Sequence, residues 1–324
     1  MNVIEENSTS KWVSYSQHIL GILIISTFAY FFIIKRFSRV TKCISGKVAL
    51  VTGGGSGLGA AISLQLAKQG CNLAIVDLNL EAAQRNATHL RKLGVKAEAY
   101  KADVSNLAEI EAIKTRIEQD LGKVGIIVNN AAMLFTKCIE TESPEKLQKM
   151  LKVNILSVIW TSRVFLSSMI EEGFGHIVTI CSVAGLIGMP VGLPYVTTKF
   201  AVRGFMEALA MDIFYRGHAK KVKTTTVYPS FISTNNEVVK VYNDAVNRKF
   251  FNSLYTPETV AKKVVDAIRN DQETLVIPGF AKIIGYGLTV PLIIRKFLGG
   301  FMVHKGYAWN GFTTDVKQST STEL

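Results

Sequence analysis

The chain has 324 residues, of which 48% are hydrophobic and 19% charged, so it can bury a large core and is not of the disordered class. A mean hydropathy of +0.24 is high for a soluble enzyme and indicates a membrane-associated segment. The net charge of +12 suits a protein that faces anionic lipid, whereas no binding motif or aromatic-interleaved basic patch supports a nucleic-acid partner.

The segment from Trp12 to Ile34 contains no Asp, Glu, Lys or Arg and is long enough to cross the ~30 Å hydrocarbon layer of a bilayer. A cleaved signal peptide is the competing interpretation. Against it, acidic residues precede the segment, and basic residues rather than a small-residue cleavage site follow it. We therefore predict a membrane anchor helix and basic linker over residues 1–45, with monotopic insertion as the alternative to a spanning helix.

The charges that flank this segment predict its orientation. Four basic residues follow it: Lys35, Arg36, Arg39 and Lys42. The positive-inside rule places them in the cytosol together with the globular domain, so the N-terminus faces the lumen. Asn7-Ser-Thr and Asn86-Ala-Thr are glycosylation acceptor sequences, and this topology allows modification at Asn7 only.

A glycine-rich turn follows the linker, between a short apolar strand and a helix. Val48–Val51 is typical of a buried parallel strand, and helical patterning extends from about Leu58 to Gln69. Glycines let the backbone approach phosphates, and the helix N-terminus offers unpaired N–H groups and a positive dipole end. A flexible turn without a ligand is the alternative. The predicted members of a dinucleotide pyrophosphate site are Thr52, Gly53, Gly55, Ser56, Gly57, Leu58 and Gly59.

Asp77 ends the second predicted strand, Asn72–Val76, about 20 residues after the glycine turn. A carboxylate at that position can accept hydrogen bonds from the adenosine ribose hydroxyls and repels the 2′-phosphate of NADP. No Lys or Arg follows at Leu78 or Asn79, so we predict NAD(H), with NADP(H) as the less favoured cofactor. Asp77 can also act as the N-cap of the helix that follows.

The rest of the chain alternates strands with helices, which predicts an α/β fold with a doubly wound parallel sheet. The remaining predicted strands are Ala97–Ala102, Val124–Val128, Gly175–Ile180, Thr224–Val227 and Thr274–Ile277. The remaining predicted helices are Leu80–Leu93, Leu107–Leu121, Pro144–Val153, Ile155–Met169, Tyr195–Tyr215 and Pro257–Asn270. We predict that residues 46–280 form this domain, with Asn235–Tyr255 as a flap over its cleft.

Residues 281–324 form a predicted apolar tail with a polar end. Within the tail, Ile283–Ile294 is uncharged but too short to span a bilayer. It is either an interfacial helix that also walls the substrate entrance or a core helix of the domain. The histidines and cysteines show no metal spacing, and Cys71 and Cys181 lie beside or within apolar strands, as buried free thiols do.

Tyr195 and Lys199 lie four residues apart on one predicted helix, so their side chains can converge. An ammonium beside a phenol favours the phenolate, which makes Tyr195 a candidate general base for an alcohol that loses hydride. Ser182, at the end of a strand, can stabilise the alkoxide-like oxygen of the transition state. Asn154 can hold a water that relays the proton through Lys199. The Tyr-x-x-x-Lys spacing alone occurs by chance in many helices.

In combination these motifs resemble those of the short-chain dehydrogenase/reductase family, from about Gly46 to Ile277. The shared motifs are Thr-Gly-x-x-x-Gly-x-Gly at 52–59, Asn-Asn-Ala at 129–131, Tyr-x-x-x-Lys at 195–199, Pro-x-x-x-x-Thr at 229–234, Asp77 and Asp103. The resemblance implies a Rossmann fold and a catalytic tetrad of Asn154, Ser182, Tyr195 and Lys199. Further implied cofactor contacts come from Asp103, Val104, Asn130, Ala131, Tyr195, Lys199, Pro229, Ile232 and Thr234. Ala132 and Ser230 replace glycines of the family pattern.

A closer resemblance is to the membrane-anchored branch with the epidermal-type retinol dehydrogenases and the lipid-droplet 17β-hydroxysteroid dehydrogenases. It includes the anchor, Gly-His-Ile-Val-Thr at 175–179, Thr-Lys-Phe at 198–200, Lys-Thr-Thr at 223–225 and the tail. The branch implies an oxidoreductase of the endoplasmic reticulum or lipid droplet that oxidises a lipophilic small molecule, such as a retinoid, steroid or fatty alcohol. A reductase and a slow nucleotide-binding scaffold are the alternatives. Relatives commonly form homodimers through the helices beginning near Ile155 and Tyr195.

Overall fold

The computed structural model describes residues 21, 23, 26, 41–134, 139, 142–188, 192–234, 239, 242–243 and 254–282. The chain divides into two units, Met1–Lys42 and Cys43–Leu324. In the first unit Gly21, Leu23 and Ser26 are helical. The rest of the predicted anchor, most of the predicted flap and the whole segment Ile283–Ile294 lie outside the described residues.

The second unit contains a seven-stranded sheet in which every pairing is parallel. Its strands are β1 (Val48–Thr52), β2 (Asn72–Asp77), β3 (Ala97–Lys101), β4 (Val124–Asn129), β5 (Gly175–Ile180), β6 (Val222–Pro229) and β7 (Thr274–Ile277). They lie in the order β3-β2-β1-β4-β5-β6-β7, which confirms the predicted doubly wound fold. The order reverses between β1 and β4, and the carboxyl ends of these two strands open a crevice where ligands bind in such sheets.

Helices cover both faces of the sheet. They are α1 (Gly57–Lys68), α2 (Leu80–Arg91), α3 (Leu107–Asp120), α4 (Pro144–Leu151), α5 (Ser157–Glu171), α6 (Leu193–Tyr215) and α7 (Pro257–Arg269). Alternate residues of β1 point to opposite faces. Ala49 and Val51 pack with α1, α2 and α7, whereas Val48 and Leu50 join the core shared with α3, α5 and α6. Because both faces are covered, the central strands are continuous apolar runs.

The helical stretch around Asn154 differs from the prediction. We predicted one helix over Pro144–Val153 and a second from Ile155, but the chain stays helical from Pro144 to Glu171. A π-helical turn at Lys152–Leu156 connects α4 to α5, and the N–H of Ser157 reaches back five residues to the oxygen of Lys152. A π turn inserts a residue without ending the helix, and such turns are frequent at functional sites.

Two predicted elements, a strand and a helix, were also too short. β6 begins at Val222 and ends at Pro229, because Val222 pairs with Gly175 of β5 and Pro229 pairs with Ile277 of β7. Helix α6 begins at Leu193, two residues before Tyr195, with Pro194 in its first turn, where its missing N–H is not needed. Tyr195 therefore lies inside the first turn of the helix.

Among the residues that the structure describes, Pro144–Glu171 is the stretch long and apolar enough to cross a membrane. Half of its apolar window is buried inside the protein, and Val158, Phe165 and Met169 belong to the domain core. The apolar character of this helix is therefore explained by its packing against the sheet.

Cys71 and Cys181 are buried free thiols, as predicted, and Cys43 is an exposed free thiol. Burial, with a smaller contribution from Cys43, raises the pKa of the Cys71 thiol to about 12. Burial also raises the pKa of Cys181, against the opposing charge of Lys199. Both buried thiols stay protonated at neutral pH and behave as small apolar side chains.

Candidate active site

The glycine turn between β1 and α1 is fastened to the end of β4. Thr52 Oγ1 accepts hydrogen bonds from the main-chain N–H groups of Asn130 (3.0 Å) and Ala131 (3.1 Å). In return, Asn130 Nδ2 donates to the main-chain oxygens of Thr52 (3.0 Å) and Gly53 (3.1 Å). These bonds hold the turn at the crevice where the strand order reverses.

Two glycines show why the turn tolerates no side chains at these points. A Cβ atom at Gly59 would lie 2.1 Å from the oxygen of Gly53, so only glycine fits there. Gly57 has a φ of +52°, in the left-handed region that side chains rarely adopt. A Cβ at Gly57 would lie 3.5 Å from Thr234, which places the segment after β6 beside the turn.

The N-terminus of α1 carries no side-chain cap. Helices α2, α3, α4 and α7 are each capped by a side-chain oxygen, from Asn79, Asn106, Ser143 and Thr256 respectively. Ser56 at the start of α1 makes no such bond, and the first turn of this helix has no acidic residue. The first N–H groups of α1 are thus available to an anion, which the helix dipole also favours. This arrangement fits the pyrophosphate of a dinucleotide.

The Asp77 carboxylate lies beside the glycine turn. Its Oδ2 accepts from the N–H of Gly55 and its Oδ1 from the N–H of Asn79, both at 2.9 Å. Asn79, rather than Asp77, is the N-cap of α2, since its side chain accepts from the N–H of Ala82. The alternative role of Asp77 as a helix cap is therefore wrong.

Asp103 and Val104 follow β3 at the same edge of the sheet. Asp103 Oδ1 accepts from the N–H (2.9 Å) and the hydroxyl (2.7 Å) of Ser105, and the N–H of Asp103 donates to Glu109 (2.8 Å). Val104 is buried. These contacts fix the course of the chain at the predicted adenine edge of the crevice.

Lys199 is the buried cation of the site. Its side chain is 3% exposed, and its Nζ donates to the oxygen of Ile180 at the end of β5 (3.1 Å). The same Nζ lies 5.3 Å from the centre of the Tyr195 ring. Within the described part of the chain no carboxylate pairs with this ammonium. The structure thus brings the predicted Tyr-Lys pair together on α6 and directs the positive charge towards the tyrosine.

Ser182 lies at the end of β5, in the same edge of the sheet. Its Oγ accepts from the N–H of Ala184 (3.1 Å), which leaves its proton without an acceptor among the described residues. The turn after Ser182 packs closely on α6, because a Cβ at Gly185 would lie 2.9 Å from the oxygen of Lys199. The hydroxyl is therefore rigidly held and can still donate.

The Asn154 side chain connects three parts of the site. Its Oδ1 accepts from the N–H of Met133 (2.7 Å), and its Nδ2 donates to the oxygen of Met133 (2.9 Å) and to Thr198 Oγ1 (3.0 Å). Thr198 Oγ1 in turn donates to the oxygen of Tyr195 (2.7 Å). Asn154 thus fastens the loop after β4 to α6, and one acceptor position on its Oδ1 remains for the predicted water.

The segment after β6 is held by β7 and by Tyr255. The N–H of Ser230 donates to the oxygen of Ile277 (2.8 Å), and that of Ser233 to the oxygen of Tyr255 (2.9 Å). Ile232 is buried and forms a β-bridge with Tyr255. Pro229, Ile232 and Thr234 therefore lie in a defined segment at the carboxyl edge, as their predicted role requires.

Sequence reasoning missed two side chains that support this site. Asn86 on α2 donates to the oxygen of Gly54 in the glycine turn (2.7 Å), and Thr198 links Asn154 to Tyr195. An asparagine inside a helix, away from any cap, is a weak signal that could have indicated the first. Thr198 is fully buried beside Lys199, but its neighbourhood in sequence carried no signal of the partner 44 residues away.

Comparison with known proteins gives independent evidence for the family of this chain. A family model described as short chain dehydrogenase matches residues 47–243. Human (Homo sapiens) 17-beta-hydroxysteroid dehydrogenase 13 is 32% identical over 282 residues, covering 86% of this chain and 89% of that protein. Estradiol 17-beta-dehydrogenase 11 of Rattus norvegicus is 30% identical over 248 residues, covering 76% of this chain and 80% of that protein.

Two solved structures share the fold. A short chain dehydrogenase/reductase from Burkholderia phymatum in complex with NAD has a TM-score of 0.66 and 24% identity, covering 76% of this chain and 95% of that one. An alcohol dehydrogenase from the archaeon Thermococcus sibiricus, complexed with 5-hydroxy-NADP, has a TM-score of 0.62 and 25% identity, covering 71% and 95%. The matched family model, the relatives and the fold agree: the chain belongs to the short-chain dehydrogenase family and is an oxidoreductase that acts on CH–OH donors.

Proposed function

We propose that this protein uses NAD(H) to interconvert a lipophilic alcohol and its carbonyl compound at the cytosolic face of the endoplasmic reticulum or a lipid droplet. The observation that carries the proposal is the buried Lys199 ammonium 5.3 Å from the Tyr195 ring. Lys199 has no carboxylate partner among the described residues, and a buried charge of that kind is rarely kept for stability alone. Its placement beside a phenol on the crevice edge suits proton transfer.

In the oxidative direction, Tyr195 accepts the hydroxyl proton of the substrate as general base. The Lys199 charge stabilises the negative charge that develops on the phenolic oxygen. Ser182 donates a hydrogen bond to the substrate oxygen and stabilises its alkoxide-like character. NAD held in the cleft would supply the acceptor for the hydride that leaves the substrate carbon. In the opposite direction Tyr195 returns the proton, so the same residues serve a carbonyl reductase.

Asn154 has two roles in this proposal. Its amide holds the loop after β4 against α6, which keeps Tyr195 and Lys199 in place. The remaining acceptor position on its Oδ1 serves the water that relays the proton through Lys199. The first role rests on contacts of the described residues, and the second on the family resemblance.

The glycine turn and the open N-terminus of α1 would hold the pyrophosphate, with Asp103, Val104, Asn130, Ala131, Pro229, Ile232 and Thr234 lining the rest of the cofactor cleft. Asp77 supports NAD(H) over NADP(H). Its carboxylate is fixed beside the turn by the N–H groups of Gly55 and Asn79, so a 2′-phosphate would meet a negative charge that cannot move away.

The names of the relatives and the predicted anchor support the proposed substrate class. The most similar proteins reported above are named for 17-beta-hydroxysteroids and estradiol, which supports a hydroxysteroid as substrate. Retinol and long-chain alcohols are the other members of the class. A substrate dissolved in a membrane also gives a reason for the uncharged segment Trp12–Ile34. A homodimer is part of the proposal, since α6 leaves Met211, Phe214 and Tyr215 exposed.

The test is turnover by the membrane-bound full chain with NAD or NADP, against retinol, hydroxysteroids and long-chain alcohols. Tyr195→Phe should abolish NADH production, and Tyr215→Phe on the same helix should not, because Tyr215 is 77% exposed. Turnover that survives Tyr195→Phe would refute the proposed base. A slow nucleotide-binding scaffold, the second candidate, would bind NADH and stay inactive across the panel in both directions.

A further inference from the structure

The peptide unit that joins Gly54 to Gly55 is hydrogen-bonded at both of its polar groups. The carbonyl oxygen of Gly54 accepts from Asn86 Nδ2 at 2.7 Å. The N–H of Gly55 donates to Asp77 Oδ2 at 2.9 Å. In a trans peptide these two groups point in opposite directions, so the two side chains hold the same plane from opposite sides.

The chemistry of the two partners allows only one orientation of this peptide. A carbonyl oxygen can only accept, so the amide nitrogen of Asn86 must face Gly54. An ionised Asp77 can likewise only accept, so it requires the N–H of Gly55. Rotation of the peptide would break both bonds and turn the oxygen of Gly54 towards the carboxylate. Asn86 and Asp77 therefore stabilise the same orientation of this peptide. Among the described residues, no third side chain is hydrogen-bonded to it.

We infer that Asn86 is a positioning residue for the adenosine half of the bound dinucleotide. It acts through the Gly54–Gly55 peptide, which holds the Asp77 carboxylate in place for the ribose hydroxyls. The inference rests on the proposed use of NAD(H). Asn86 would thus affect cofactor binding from a helix, although it lies 32 positions from Gly54 in the sequence.

The surroundings of Asn86 agree with this role. Asn86 lies in the middle of α2, where asparagine is a weaker helix former than alanine and caps nothing. Its neighbours Ala83 and Ala87 are small and fully buried, so the helix can approach the turn. The approach is close, since a Cβ at Gly55 would lie 3.0 Å from the Cβ of Ala82. The hydrogen bond to Gly54 gives a reason for a polar residue at this position.

Calorimetric titration of the full chain in detergent with NADH, ADP-ribose and nicotinamide mononucleotide tests the inference. Asn86→Ala should weaken NADH and ADP-ribose binding by the same factor, roughly two- to tenfold, since one neutral hydrogen bond is lost. Asn86→Asp should weaken the binding of both ligands further, because the new carboxylate would face the carbonyl oxygen of Gly54. Thr88→Ala is the matched control: Thr88 is exposed on the same helix, and its replacement should change neither affinity.

Three readouts separate positioning from a general structural role. We expect the higher helix propensity of alanine to offset part of the lost hydrogen bond, so Asn86→Ala should change the melting temperature only slightly. It should retain the nicotinamide mononucleotide affinity and kcat at saturating NAD. Unchanged NADH affinity in both Asn86 variants would overturn the inference and leave the proposed function intact. Equal losses for both halves of the dinucleotide, or a loss that follows the melting temperature, would also overturn it. Failure of the wild-type chain to bind NADH would overturn the proposed function and this inference with it.

Discussion

Lys199 Nζ and the Tyr195 ring lie 5.3 Å apart on α6, with the ammonium also bonded to the oxygen of Ile180. At this distance the ammonium charge can stabilise negative charge on the phenolic oxygen. The pair is thus held by the helix on one side and by the end of β5 on the other.

The first prediction concerns this charge. Lys199→Met keeps the length of the side chain and removes the ammonium, so we expect kcat to fall by roughly 10²-fold or more, the range of general acid–base catalysis. Steady-state kinetics at saturating NAD measure it. Lys220→Met, an exposed lysine after α6, is the control and should keep wild-type kcat. Comparable kcat values for the two variants would contradict the assigned role of Lys199.

The second prediction separates the two roles of Asn154. Thr198→Val removes one hydrogen bond of the Asn154 side chain but leaves its Oδ1 untouched, so we expect a loss of roughly 1 kcal/mol in unfolding free energy and a modest fall in kcat. Asn154→Ala should lower both more strongly, because it also frees the Met133 main chain. Denaturant unfolding and kinetics check this. If the two variants had the same kcat, a water relay through Asn154 would lose its support.

The third prediction concerns cofactor choice. Asp77→Asn removes the negative charge that faces a 2′-phosphate, so the ratio of kcat/KM for NAD to that for NADP should fall by roughly tenfold or more. The single amide oxygen of Asn can still accept from the N–H of Gly55, so the turn should keep its course, while the bond from the N–H of Asn79 is lost. The measurement is kcat/KM with each cofactor at fixed substrate. Glu81→Gln on the exposed side of α2 should leave the ratio unchanged, and an unchanged ratio in Asp77→Asn would refute the role.

The fourth prediction is a pH effect on stability. Burial raises the pKa of Cys71 from an ordinary value of 9.0 to about 12, so its contribution to stability is complete below pH 9 and is lost as the pH rises towards 12. Between pH 8 and pH 10 the wild type should lose roughly 1 kcal/mol more unfolding free energy than Cys71→Ala. Urea unfolding at the two pH values measures this. Cys43→Ala should retain most of the wild-type slope, since Cys43 is exposed and makes only the smaller contribution to the raised pKa of Cys71.

The fifth prediction concerns assembly. If α6 forms part of a homodimer, replacing the exposed Phe214 and Tyr215 with serine should shift the full chain in detergent from dimer to monomer. Sedimentation velocity measures the shift. The control is Phe280→Ser, which removes another exposed aromatic side chain outside α6. A protein that is monomeric before any substitution would refute the dimer directly.

Local patterns in the sequence predicted most of this fold. Buried strands such as β1 and β4 are short apolar runs that end in a polar residue or a glycine turn, and both signals are local. The proximity of the Tyr195 and Lys199 side chains likewise follows from helix geometry alone, because residues four apart lie on the same face. The extent of β6 was not predictable in this way, because Val222 and Pro229 owe their strand conformation to partners in β5 and β7.

The same limit applies to the site. The side chains of Asn86 and Thr198 act on residues 32 and 44 positions away, and neither distance has a period that a pattern can reveal. The π turn at Lys152–Leu156 was missed for a different reason. The stretch from Glu145 to Glu171 contains no glycine or proline, so only the polar Asn154 marked a break, and the chain accommodates it by widening the helix.

The hydrogen bond between Asn86 and Gly54 also changes what the glycosylation of Asn86 can reveal about membrane topology. The Nδ2 atom that donates to Gly54 is the atom to which an oligosaccharide would be attached in the sequence Asn86-Ala-Thr. A sugar could be added there only before α2 packs against the glycine turn, and the chain that carried it could not close the turn. In chains that have closed the turn, a bare Asn86 is thus expected on either side of the membrane. Asn7 is the acceptor whose occupancy distinguishes a lumenal from a cytosolic N-terminus.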